Sequence, residues 1–191
     1  MSQPAPTQDL KFILNQLAKT LPEGSFRKEH ILLTGGTGFF GKWITQAILA
    51  WNDQFGAGNR LSLITRDREK TFLSLPWLKD RPDVELIQTD IRSFEPKADY
   101  TSVIHGAAAA SQALNENDPM RMFDTIVEGT RNVLKATKSR SCRRFQFLSS
   151  GGVYGTQPPE MTHIAESYSG APLTTDSRAA YGEAKRIAEF F

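Results

Sequence analysis

Tyr181 and Lys185 stand four residues apart in the run Y-G-E-A-K, so on a helix both side chains project from one face. That spacing has a chemical use. A tyrosine acts as a general base near neutral pH only if its pKa falls from about 10 toward 7, a differential stabilisation of about 4 kcal/mol. A neighbouring ammonium supplies part of that by favouring the phenolate. The same spacing also arises by chance on any helix, so the pair needs a partner to carry weight. Ser150 is a candidate. It follows the apolar run Phe145 to Leu148, at the carboxyl end of an expected strand, where open α/β sheets bind ligands and a hydroxyl can orient a substrate oxygen. The plainer reading of Ser150 is a strand-end hydroxyl that satisfies turn backbone.

Such residues need a scaffold, and Ile31 to Gly41 (I-L-L-T-G-G-T-G-F-F-G) is where it starts. Ile31 to Thr34 has the look of a buried parallel strand. Gly35, Gly38 and Gly41 follow at three-residue spacing, then a helical pattern with Trp43, Ile44, Ala47, Ile48 and Trp51 on one face. In that context Gly35 permits a tight turn, Gly38 lets backbone approach a pyrophosphate, and Gly41 lets helix and strand pack closely. The helix N-terminus offers N–H groups and positive dipole to phosphates. A plain strand-to-helix turn is the alternative.

Further strands are expected at Leu61 to Thr65, Val84 to Gln88, Ser102 to His105 and Phe145 to Leu148. A charged helical segment runs to about Lys79. A long helix follows Asp118-Pro119, with Phe123, Ile126, Val127, Thr130, Val133, Leu134 and Thr137 on one face. Strand–helix alternation argues for an α/β fold with a parallel sheet and right-handed crossovers. Gln157 to Arg178 is polar and without period, a loop placed where an active-site loop would lie. The last helix starts near Ser177. At the other end, Met1 to Thr7 reads as a loose lead-in. Leu10, Ile13, Leu14, Leu17 and Leu21 then mark an amphipathic helix stopped by Pro22 and Gly24. Its stripe packs on the chain's own domain or on a second copy.

At 191 residues, 39% hydrophobic and 23% charged, the chain suits one globular domain. A net charge of +2 argues against nucleic acid or an anionic membrane as partner. The basic run Lys135 to Arg144 reads as a solvated helix end. Cys142 is the single cysteine, so no internal disulfide forms, and a reducing cytoplasm is expected. Its arginine neighbours favour the thiolate, but nothing else marks it as a nucleophile. No basic leader with an apolar core stands at the N-terminus, and no apolar stretch approaches about 18 residues.

The chain resembles the extended short-chain dehydrogenase/reductase superfamily, specifically the NAD-dependent epimerase/dehydratase family acting on nucleotide sugars. The resemblance runs from about His30 to Phe191. It rests on T-G-G-T-G-F-F-G at Thr34 to Gly41, T-D-I at Thr89 to Ile91 and V-I-H-G-A-A at Val103 to Ala108. E-G-T-R-N-V at Glu128 to Val133, S-S-G-G-V-Y-G at Ser149 to Gly155 and Y-G-E-A-K complete it, in the family's order.

The resemblance implies a Rossmann-type doubly wound parallel sheet with helices on both faces. It divides the chain into an extension over 1–29 and an NAD(P)-binding domain over 30–191. It implies that Gly35, Gly38, Phe39, Phe40 and Gly41 hold the pyrophosphate of NAD or NADP. Asp90 and Ile91 would contact adenine, and Ala107, Ala108 and Ala109 would line the cofactor's middle. Tyr181 would take a proton from a sugar hydroxyl, usually at C4, while hydride leaves for the nicotinamide. Lys185 would bind the nicotinamide ribose and lower the Tyr181 pKa, and Ser150 would hydrogen-bond the reacting oxygen. No metal is implied.

Four departures shape that expectation. The second strand ends Ile64-Thr65-Arg66-Asp67, where NAD-preferring members usually carry an acid. Arg66 could take a 2′-phosphate and Asp67 could serve NAD, and both remain open. Gly151 and Gly152 stand where 4,6-dehydratases carry Asp-Glu and the sugar-acid decarboxylases a Glu, which favours a 4-epimerase or a keto-sugar oxidoreductase. Ile126 replaces a usual Asn. The chain also stops at Phe191, within the helix of Tyr181, short of the family's C-terminal substrate domain. A fragment with little turnover is therefore expected, from a whole protein that pairs as a homodimer. The rival of another class is a non-catalytic cofactor-sensing protein of the same fold. Such proteins typically lose the Tyr and Lys kept here.

Overall fold

A computed structural model of the chain describes residues 7–22, 24–108, 112–138 and 141–191. Five parallel strands form one sheet: β1 (His30–Thr34), β2 (Arg60–Thr65), β3 (Val84–Gln88), β4 (Ser102–His105) and β5 (Arg144–Phe147). Their order is β3-β2-β1-β4-β5. The order reverses between β1 and β4, which opens a crevice at their carboxyl ends. The fifth strand is assigned one residue earlier than its apolar run. Its ladder nevertheless reaches Leu148, whose N–H donates to the His105 carbonyl at 2.9 Å.

The first strand shows why the sheet is doubly wound. Ile31 and Leu33 point into a core with Ile48, Leu49, Leu61 and Leu63, whereas Leu32 points into another with Phe94, Tyr100, Val103 and Val133. Both faces of a central strand are thus buried, and its continuous apolar run follows from that. Each buried leucine or isoleucine contributes about 1.5–3 kcal/mol.

Helix α1 (Thr7–Thr20) lays Leu14 against Trp51 and Ala57, so its stripe packs on the chain's own domain. Helix α2 (Phe39–Phe55) is pinched between α1 and the sheet. It buries Thr45, Gln46, Ile48, Leu49 and Trp51, a wider face than its apolar residues alone mark out. The expected segment up to Lys79 is instead two pieces, α3 (Arg68–Ser74) and a 3-10 turn, Pro76–Leu78. Pro76 lacks an N–H and pushes Leu75 out of helical geometry, to φ −134°, which breaks the helix there.

A short helix, α4 (Gln112–Asn117), precedes α5 (Pro119–Thr137) and went unrecognised in the sequence. Asp118 caps α5 by accepting from the Arg121 N–H at 3.1 Å. Helix α6 (Ala180–Phe190) follows a 3-10 turn, Ser177–Ala179, and packs Ala184 and Ala188 on Met122, Ile126 and Val127 of α5. Ile126, the residue that replaces a polar one in the resemblance, is fully buried in that contact.

The basic run is only partly the solvated end expected of it. Arg143 and Arg144 reach back to the buried Glu29 carboxylate at 2.9 and 2.6 Å, on the amino-end side of the sheet. Among the described residues, no helix is long and apolar enough to cross a membrane.

Candidate active site

The glycine turn is dictated by contact distances. Gly35 sits at φ +73°, and a Cβ there would lie 2.5 Å from the Gly106 carbonyl oxygen. A Cβ on Gly41 would lie 2.1 Å from the Gly35 oxygen, and one on Gly38 would lie 3.2 Å from it. Gly36 is a further close position that spacing did not single out, but its nearest neighbour is a side-chain end, Leu63 Cδ2 at 2.7 Å. Gly38 is the N-cap of α2, and no side chain caps that helix. Its first-turn N–H groups therefore have no intrahelical acceptor and face outward. Phe39 and Phe40, 64% and 71% exposed, stack edge-to-face at 5.3 Å, so only their backbone is placed to meet a phosphate.

A groove of about 500 Å³ runs over the strand ends beside this turn, lined by Gly35, Gly38, Arg66, Asp90, Ile91, Ala107 and Ala108 among others. It brings together most of the expected cofactor residues; Ala109 lies outside the described residues. Asp90 is not free in it. Arg92 donates to its carboxylate through Nε at 3.0 Å and Nη2 at 2.8 Å, and through its backbone N–H at 2.9 Å. These bonds hold the Asp90 pKa down at about 2. Ile91 is buried against Gly129, and Asn132 fastens this segment by donating to the Ile91 and Phe94 carbonyls at 3.0 and 2.9 Å.

A buried chain of polar groups under the groove was not singled out in the sequence. Thr34 Oγ1 accepts from the Gly106 and Ala107 N–H groups at 3.1 and 2.9 Å, so its own hydrogen goes to His105 Nδ1, 2.7 Å away. His105 must then carry its proton on Nε2 and donate to Thr130 Oγ1 at 3.0 Å, which donates to the Ile126 carbonyl at 2.7 Å. Burial, and after it the charge of Lys185, pushes the His105 pKa down to about 3 and keeps the ring neutral. The sequence signal was a histidine ending an apolar strand, a pattern shared by many core histidines.

Ser150 and Tyr181 meet at one point. A Cβ built on Gly152 would touch both, at 3.4 Å from Ser150 Oγ and 3.5 Å from Tyr181 Cδ1. Ser150 caps the 3-10 turn Gly151–Tyr154 by accepting from the Gly152 N–H at 3.1 Å. The turn-satisfying reading is therefore true, and it leaves the hydroxyl hydrogen free to donate to a ligand. Gly182 lets α6 close on this turn, since a Cβ there would lie 2.5 Å from the Gly152 carbonyl oxygen.

Lys185 is 2% exposed and donates to the Leu148 carbonyl at 2.6 Å, with its Nζ 4.5 Å over the Phe147 ring. Burial lowers its pKa to about 8. Beside Tyr181 lies a second cleft, of about 710 Å³, lined by Gly152, Pro172, Asp176 and Arg178. The long loop thus does stand at the site. Arg186 holds it by donating to the Gly170 carbonyl at 3.0 Å, and Tyr154 by donating to Glu166 at 3.1 Å. Among the described residues, no group of three or more His, Cys, Asp or Glu side chains is placed to hold a metal ion.

The switched strand order and the glycine turn at its crevice define a Rossmann-type doubly wound α/β protein. The sequence model of the NAD dependent epimerase/dehydratase family matches residues 31–190, and the chain belongs to that family. It is similar to UDP-glucuronic acid decarboxylase 1 of Arabidopsis thaliana, with 32% identity over 171 residues that cover 88% of this chain and 37% of that protein. It is also similar to UDP-glucose 4-epimerase 2 of Oryza sativa subsp. japonica, with 27% identity over 184 residues covering 90% of this chain and 41% of that protein. Among solved structures, a UDP-glucuronic acid 4-epimerase from Bacillus cereus in complex with NAD superposes with a TM-score of 0.67 and 22% identity. That match covers 84% of this chain and 50% of the other, and it shows the fold. The chain therefore spans half or less of the length of these proteins.

Proposed function

We propose that this chain is the dinucleotide-binding part of an NAD(P)-dependent enzyme that oxidises a hydroxyl of a nucleotide-linked sugar at C4, with a 4-epimerase outcome. The observation that carries the reading is the convergence of the Ser150 hydroxyl and the Tyr181 ring on Gly152, beside a cleft and at the carboxyl end of β5. A sugar hydroxyl placed there would give its proton to the Tyr181 oxygen and receive a hydrogen bond from Ser150. Lys185, charged at neutral pH, lies one helical turn beyond Tyr181 with its ammonium on the Leu148 carbonyl, and would bind the nicotinamide ribose. The glycine turn fits the cofactor: a close-packed cradle at Gly35, Gly38 and Gly41, followed by the first-turn N–H groups of Phe39, Phe40 and Gly41, suits a pyrophosphate. When bound, the nicotinamide supplies the hydride acceptor.

Two glycines support the choice of outcome. Gly151 and Gly152 place no carboxyl on the turn after β5, so elimination of water at C5–C6 would lack its usual acid and base there. A 4-keto sugar formed here is left to be reduced again, as in a 4-epimerase. The similar proteins include a UDP-glucose 4-epimerase and a UDP-glucuronic acid decarboxylase, which supports a UDP-linked sugar as substrate class. Residues 30–191 form the NAD(P)-binding domain in this reading, with 1–29 as an extension. The whole protein would be a cytoplasmic homodimer.

The test is to incubate the whole protein with UDP-glucose, UDP-galactose and their N-acetyl and uronic acid counterparts, and to follow configuration at C4 by proton NMR. Tyr181→Phe should keep dinucleotide binding and lose turnover. Undiminished turnover by Tyr181→Phe, or loss of water from the sugar by the native protein, would overturn the proposal.

A further inference from the structure

We infer that the groove is built for a dinucleotide whose adenosine ribose carries a 2′-phosphate, so that NADP is preferred to NAD, with Arg66 as the residue that reads the phosphate. This rests on the dinucleotide reading of the glycine turn and adds to it a specificity that the sequence left open.

Two neighbouring residues compete for the ribose, and the structure separates them. Arg66 is the first residue past β2 and lines the groove; Asp67, one residue on, does not. The Asp67 carboxylate is committed elsewhere, capping α3 by accepting from the Lys70 N–H at 2.8 Å. Its backbone is fixed in that role. The Asp67 N–H donates to Thr65 Oγ1 at 3.2 Å, and Thr71 Oγ1 donates to the Asp67 carbonyl at 2.7 Å. Turning the Asp67 side chain toward a ribose 2′-hydroxyl would uncap α3, a loss of about 1 kcal/mol.

The guanidinium of Arg66 has the opposite situation. Among the described residues, no hydrogen bond or ion pair holds it, and it is exposed at the groove's edge. The nearest candidate acid is Asp90, which influences Arg66 through charge, but Arg92 already grips that carboxylate through both Nε and Nη2. The groove is lined by the guanidinium groups of Arg66, Arg92 and Arg121 against the single carboxylate of Asp90, an excess of positive charge.

The chemistry of the two ligands then decides. A 2′-hydroxyl is best met by an acid that accepts from it, and Asp67 is engaged through Oδ1 in capping α3, outside the groove lining. A guanidinium carries donors alone and matches a phosphate with two parallel hydrogen bonds. Arg66 leaves a 2′-hydroxyl poorly served and a 2′-phosphate well served.

The experiment is a calorimetric titration of this chain with NADP, NAD, 2′,5′-ADP and 5′-ADP, with circular dichroism to establish that it is folded. NADP should bind at least tenfold tighter than NAD, and 2′,5′-ADP should exceed 5′-ADP by a similar factor. Arg66→Ala, at an exposed position, should bring each pair to within threefold. Equal or tighter binding of NAD would overturn the inference and leave the dinucleotide reading standing. A preference for NADP that survives Arg66→Ala would overturn the assignment to Arg66. A folded chain that binds none of the four would overturn the dinucleotide reading itself.

Discussion

The hydroxyl of Thr34, at the end of β1, donates to Nδ1 of His105, at the end of β4, across 2.7 Å in the fully buried centre of the sheet. The same oxygen accepts the N–H groups of Gly106 and Ala107. One side chain thus ties the two strands at the switch point and fixes the loop that walls the groove. Thr34→Val keeps the shape and removes the acceptor, leaving the Ala107 N–H and His105 Nδ1 unpaired. Denaturant unfolding should show a loss of about 1–3 kcal/mol. A loss below a few tenths would mean that the network does not bear on stability.

The glycine turn should show a graded response. A Cβ on Gly41 meets the Gly35 oxygen at 2.1 Å, and backbone must move to admit it. On Gly38 the same atom is 3.2 Å away, a contact that a small shift relieves. Gly41→Ala should cost about 1–3 kcal/mol and remove dinucleotide binding, whereas Gly38→Ala should cost less. Equal effects in thermal melts and binding titrations would contradict the distances.

The reach of sequence reading follows the physics of each element. Strands β3 and β4 were legible to the residue, because their apolar runs are bounded by turn chemistry. The glycine turn, Ser150, Tyr181 and Lys185 were legible as residue types at fixed spacing. The short helix α4 and the wider buried face of α2 were not, since each depends on what packs against it, whereas the break at Pro76 has a local cause that the sequence does carry. His105 and Glu29 escaped for a different reason. Their partners lie far away in sequence, at Thr34 and Thr130 for the one and at Thr101, Arg143 and Arg144 for the other. Arg66 and Asp67 could not be ranked until the cap on α3 was seen.

Glu29 should make the fold sensitive to acid. It is 4% exposed, and burial alone would raise its pKa. The Thr101 hydroxyl, followed by Arg144 and Arg143, outweighs that and leaves the carboxyl below its ordinary value of 4.5. A depressed folded pKa means that its stabilisation is complete above the unfolded value and is lost as pH falls below it. Glu29→Gln should therefore be clearly less stable than the native chain at pH 7, with the gap closing below pH 4.5. A gap that persists unchanged in acid would show that Glu29 contributes through packing and not through charge.

Lys185 should act in the opposite sense, because burial lowers a lysine pKa by disfavouring the charged form. In the folded chain it titrates at about 8, against 10.5 for a free lysine. Between those values the unfolded chain holds a proton that the folded chain has released, so stability attributable to this group rises with pH over that window. Below pH 8 the cost of burying the ammonium is present in full, about 3 kcal/mol for a shift of this size. Lys185→Met removes that cost and also the hydrogen bond to the Leu148 carbonyl, a loss of about 1–3 kcal/mol. The net effect at pH 7 is a small difference between two opposed quantities, but its pH dependence is not. The native chain should gain on Lys185→Met by about 3 kcal/mol between pH 8 and 10.5. Unfolding free energies measured across that range test it, and parallel curves would show that Lys185 is not desolvated. A strong slope would mean that the fold tolerates a costly buried ammonium, held on the Leu148 carbonyl, in the helix that carries Tyr181.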